Sequence, residues 1–189
     1  MKNKLESLLI RGSDWQNNAC LNFTPNVAYG YIHGYKCAAD SLVTQIIQTR
    51  SNQDILVFPI VFLYRHYLEL ALKYIIADGR KLLGEKGSFP THHKIEHLWP
   101  LAKGILRKIW SGSEPKEVEL IDHLIKELSI IDPDSMSFRY PENLEGKNSL
   151  PNIKHINLRH LGQTIDQVGD FLEAVHMGIS EYLNERYDF

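Results

Sequence analysis

An all-α fold, a single-domain bundle of four to five long helices with one irregular insertion, is what the sequence predicts. Three observations predict it. Apolar residues recur at steps of three and four over most of the chain. No segment keeps up the strict alternation of a half-buried strand. Prolines and glycines gather in a few stretches that separate the periodic ones. One domain is expected over 1–189, with its core at about 27–185 and an N-terminal extension over 1–24.

Thr24-Pro25 supplies an N-cap and a first-turn proline. After it, Ala28, Ile32, Tyr35, Ala39, Leu42 and Ile46 form the inner face of a first helix, while Gly30, Gly34 and Ala38 form a small-residue groove suited to close helix packing. A second helix runs from about Asp54 to Ala77, with Pro59 near its start. Being apolar nearly all round there, it should be the central, buried element. The glycines and proline of "DGRKLLGEKGSFP" predict a loop. Thr91 then caps a third helix carrying Ile95, Leu98, Trp99, Ala102, Ile105, Leu106 and Ile109, which Pro100 should kink or split. A fourth begins near Ser113-Glu114-Pro115 and turns Val118, Ile121, Leu124, Ile125 and Leu128 inward. Glu114, Glu117 and Glu119 suit its positive end. From Asp132 to Ile156 the periodicity fails, and a short hairpin would fit. The last helix repeats Leu158, Leu161, Ile165, Val168, Leu172, Val175, Ile179 and Tyr182 without a break.

The composition is ordinary for a globular chain: 43% hydrophobic, 23% charged, net charge −2. That balance excludes a protein coated in positive charge for generic DNA binding and leaves room for a local basic groove. Cys20 and Cys37 match no metal or redox spacing and read as reduced thiols. The run after Lys2 and Lys4 is too short for a signal peptide. The run from Ile55 to Tyr64 is broken by Pro59 and ended by Arg65-His66, short of the roughly 20 residues a bilayer needs. A cytoplasmic protein with no membrane association and no cofactor is expected.

Three places could carry chemistry. "HKIEH", His93 to His97, is an H-x-x-E-H: on a helix its histidines share a face, and Glu96 could activate a metal-bound water, with Glu173 as a downstream third ligand. Against a metalloprotease stands the lack of any extended sheet, and surface histidines are the plainer reading. The second place is "FLYRHYLELALKYII". Arg65, Glu69 and Lys73 lie one turn apart on a greasy helix with His66 beside them. Buried charges must be paired or face a cleft. One reading is a cleft where Arg65, His66 and Glu69 meet Arg139 and Tyr140, with His93 as a further proton carrier. The other is an internal ion-pair network tying the insertion to the bundle. The third is "INLRHLGQT", where Asn157 reads as an N-cap and Arg159 and His160 could face an anion or simply water.

"FLYRHYLELALKYII", then "HHKIEHLWPLAK", "FRYP" and a long terminal helix resembles the HEPN superfamily of prokaryotic helical domains, from about Val27 to Glu185. The resemblance implies a four- to five-helix bundle, commonly a homodimer, in toxin–antitoxin or phage-defence systems. It also implies metal-independent RNA cleavage in many members, in which histidine transfers protons and arginine steadies the phosphate. The family motif is an arginine, a spacer of roughly four to six residues, and a histidine. Arg65-His66 and Arg159-His160 begin it, but Leu70 and Thr164 stand where the histidine would be, and no other arginine completes it. The expectation is therefore an RNA-directed protein that binds or cuts RNA. Arg65, His66, Glu69 and His93 are its candidate catalytic groups, and Arg139, Tyr140, Arg159 and His160 its candidate binding groups. A non-catalytic module for a protein partner or small ligand is the alternative, with a zinc protease a distant third.

Overall fold

Five α-helices form the bundle in the computed structural model, which describes residues 8–21, 27–87 and 89–187: α1 (Val27–Thr49), α2 (Gln53–Leu83), α3 (Ile95–Ile109), α4 (Lys116–Ile131) and α5 (Leu158–Tyr187). The expected start at Thr24-Pro25 lies outside the described residues. No strand occurs among them. The hairpin expected in the insertion reduces to one isolated bridge, Glu142 with Asn148. The Asn143 side chain accepts the Glu145 and Lys147 amides and so closes a tight turn. Pro141 and Pro151, which lack an N–H, flank it and leave no ladder to extend.

The central helix is α2, packed against α1, α3 and α5, while α4 closes over α3 and α5. Its Leu68, Leu72, Ile75 and Ile76 are buried with Leu98 and Ala102 of α3 and Ile165, Val168 and Leu172 of α5. Over part of its length α2 is apolar enough to cross a membrane, but half of that stretch is buried inside the bundle.

Several boundaries differ from expectation for local reasons. The second helix does not stop at Ala77, because Gly79 is a packing position and not a breaker. A Cβ there would lie 2.4 Å from Ile105 Cγ2, so the glycine is what lets α3 approach. The helix ends instead at Gly84 (φ +68°), where the Gly84 and Glu85 amides return to the Lys81 and Arg80 carbonyls in a Schellman motif. The third helix starts at Ile95, not after Thr91, and Pro100 does not split it. Pro100 lies on the exposed side, where the carbonyl it leaves free can take water. On α5, Tyr182 is exposed and Leu183 takes the inward place.

Among the described residues the Gly30–Gly34–Ala38 groove is not a packing seam: Cβ atoms at Gly30 and Gly34 would meet nothing within 4 Å. The close approach is made by glycines of α5. A Cβ at Gly162 would lie 3.3 Å from Tyr64 Oη, and one at Gly169 would lie 3.0 Å from Tyr67 Oη.

A buried arginine hub and a basic, aromatic groove

Helical spacing stacks Arg65, Glu69 and Lys73 on one stripe of α2, and the bundle closes over all three, which are 0%, 1% and 4% exposed. Arg65 Nη1 donates to Glu69 Oε2 at 3.1 Å, and Lys73 Nζ to Glu69 Oε1 at 2.9 Å. His93 Nδ1 lies 2.7 Å from Glu69 Oε1, with its ring largely in solvent. The remaining donors of Arg65 reach other segments: Nη2 binds the His93 carbonyl at 2.9 Å, and Nε the Asp132 carbonyl at 3.3 Å. Asp132 Oδ2 sits 3.5 Å from Nε, while Oδ1 takes the amides of Met136 and Ser137. One guanidinium thus ties α2 to the chain entering α3 and to the turn leaving α4. Burial alone would raise the Glu69 carboxyl, but hydrogen bonds from Lys73 and His93 outweigh it and hold Glu69 below the usual range.

The other expected members of a cleft lie elsewhere. His66 stacks on Phe62 and meets Tyr35 edge-on, and burial pushes its pKa down. Arg139 lies over the rings of Phe62 and Tyr140 and makes no ion pair with Glu69. His66 and Arg139 therefore both pack on Phe62, next to the hub and not inside it. The H-x-x-E-H geometry does not form. His93 precedes α3 and is turned to Glu69, and Glu173 lies beside His33 at 3.7 Å. No cluster of three potential ligands occurs among the described residues.

Asn157 does cap α5, accepting the His160 amide at 3.1 Å, and this sets Arg159 and His160 on an exposed first turn. There the surface opens into three adjoining recesses. The first, about 440 Å³, is lined by Arg50, Gln53, Asn157 and Arg159; the second, about 390 Å³, shares Gln53 and Ile156 with it and adds Lys154, His155 and Phe58. The third, about 480 Å³, shares Phe58, Phe138, Leu150 and Ile153 with the second and ends at Arg139 and Tyr140. Shared walls make one groove, with Arg50, Arg159, Lys154 and Arg139 along it and Asp54 as the sole lining carboxylate among the described residues. Among the described residues Arg50, Lys154, Arg159 and Arg139 have no carboxylate partner; Arg11, Lys86, Lys116 and Lys126 elsewhere have none either, but only the groove gathers four such cations along one surface. Arg50 also holds a left-handed backbone (φ +53°) that costs a non-glycine residue roughly 1–2 kcal/mol.

The hub connects to the groove through Asp132. Its carboxylate fixes the Met136 and Ser137 amides, and Ser137 to Pro141 form the groove's far wall. Sequence reading missed Arg50 and Lys154, since isolated cations carry no motif, and only folding sets them beside α5. It also missed a polar seam in which Lys36 binds Asp40 and Asp166, and Tyr64 donates to Asp40 at 2.7 Å. Burial opposes the Lys36 charge, but those two carboxylates outweigh it and raise its pKa. No family model, curated protein or solved structure matches this chain.

Proposed function

We propose that this is a HEPN-like, RNA-directed protein that takes a single strand of RNA into the groove running from Arg50 and Arg159 to Arg139 and Tyr140. The observation that carries the reading is a groove that gathers four cations without a carboxylate partner among the described residues and also exposes the rings of Phe58 and Tyr140. Cations follow a phosphate backbone, and rings such as Phe58 and Tyr140, both exposed, accept bases by stacking. A short groove at one end of a bundle suits an unpaired strand better than a stiff duplex. The family resemblance adds the defence or toxin setting.

Within this reading Arg65 is a positioning residue. It has no exposed surface, and its donors are already engaged on Glu69, His93 and Asp132. His93 has one ring nitrogen fixed by a buried carboxylate and its ring open to solvent, but it does not line the groove, whose own histidine is the exposed His155.

The test is fluorescence anisotropy with labelled single-stranded and duplex RNA over about 50–200 mM salt. Single strands are expected to bind more tightly. Each of Arg50→Ala, Lys154→Ala and Arg159→Ala should lower the slope of log affinity against log salt by roughly 0.7. A triple variant that binds RNA as the parent does refutes the groove. A gel assay on the same RNA separates cutting from binding: if the groove cleaves, His155→Ala should stop cleavage, while His93→Ala, outside the groove, should not.

A further inference from the structure

A second concavity lies away from the groove, between the end of α3, the turn into α4 and the middle of α5. Its volume is about 470 Å³, within the roughly 300–1,000 Å³ of small-molecule sites. Leu106, Trp110, Val118, Phe171 and Val175 make its walls apolar and partly aromatic. It stays open because two of the four α5 residues that line it, Ala174 and Gly178, are small. A Cβ at Gly178 would come 3.1 Å from Trp110 Cζ2, so the glycine lets the indole lie against α5 as a wall.

The charges at the rim decide what fits. Arg107 is paired with Glu114 and Lys103 with Asp122, so each cation brings its own carboxylate and the mouth offers no net charge. The Ser111 and Ser113 hydroxyls also line the site and make no hydrogen bond within the described residues. We propose that this recess binds a neutral, flat aromatic small molecule, stacked against Trp110 and Phe171 and oriented by one hydrogen bond to the Ser111–Ser113 turn. The site is separate from the groove and does not depend on RNA being the groove's ligand.

The experiment uses the full chain and two fluorescent probes, neutral N-phenyl-1-naphthylamine and anionic 8-anilinonaphthalene-1-sulfonate. The neutral probe should saturate at one per chain and bind more tightly than the anionic one. Ala174→Trp, at an exposed position on the site's edge, should weaken it by roughly tenfold or more, while Ala38→Trp on the outer face of α1 leaves it unchanged. Equal melting temperatures for both variants and the parent establish that the loss is local. Binding unaffected by Ala174→Trp, or without a one-to-one endpoint, overturns the site. Tighter binding of the anionic probe overturns its neutral character.

Discussion

Replacing Arg65 by methionine keeps the aliphatic stem in the core and removes only the guanidinium. Glu69 then keeps Lys73 and His93 but loses its bond from Arg65, and Asp132 Oδ2, which has no other partner among the described residues, becomes a buried, uncompensated carboxylate oxygen. Breaking a buried pair from one side costs about 3–5 kcal/mol, because the charge left behind is uncompensated. For a domain of this size that corresponds to a fall in melting temperature of roughly 6–20 °C. Urea denaturation followed by circular dichroism measures it directly. Arg159→Ala, on an exposed turn, should stay within about 0.5 kcal/mol of the parent. The ordering is the discriminating result. If Arg65→Met is as stable as Arg159→Ala and instead loses RNA binding at unchanged melting temperature, Arg65 is a ligand-contacting group and the brace is wrong. A cycle with Glu69→Gln should show a coupling of about 0.5–3 kcal/mol, as expected for side chains in one network.

Glycines separate contact from open space. Gly34→Ala should stabilise by about 0.5–1 kcal/mol, since its Cβ meets nothing and helix propensity improves. Gly169→Ala, which crowds the buried Tyr67 hydroxyl, should destabilise by about 1 kcal/mol; equal gains at both positions would contradict the packing of α5. Burial depresses His66 below its ordinary 6.5, so the unfolded chain takes the proton first. Its contribution to stability is therefore complete above pH 6.5 and lost as pH falls toward the folded value, and His66→Phe should flatten that part of a stability–pH profile. Glu69 acts in a more acid window. Its depressed pKa contributes stability above 4.5 that disappears as pH falls through the folded value, so a Glu69→Gln variant should show a shallower acid limb.

By itself the sequence determined the fold class, because a step of three and four admits only one way to bury an apolar stripe. It also determined that α2 would be central and α5 long, and that Asn157 would cap. These properties are local: each is set by residues within a few turns of one another. It could not say whether Gly79 ends a helix or admits a neighbour, since that depends on Ile105 arriving from α3. Nor could it choose between a cleft and a brace for Arg65, because the deciding partners, the His93 carbonyl and Asp132, come from distant segments through backbone atoms that no motif encodes. The groove is the same kind of property. Arg50, Lys154 and Arg159 become one surface only when α1 and α5 meet at one end of the bundle, and their lack of carboxylate partners is a statement about what the fold leaves out of reach. Tertiary structure alone decides it, since charge is carried by residues but electrostatic field by their arrangement.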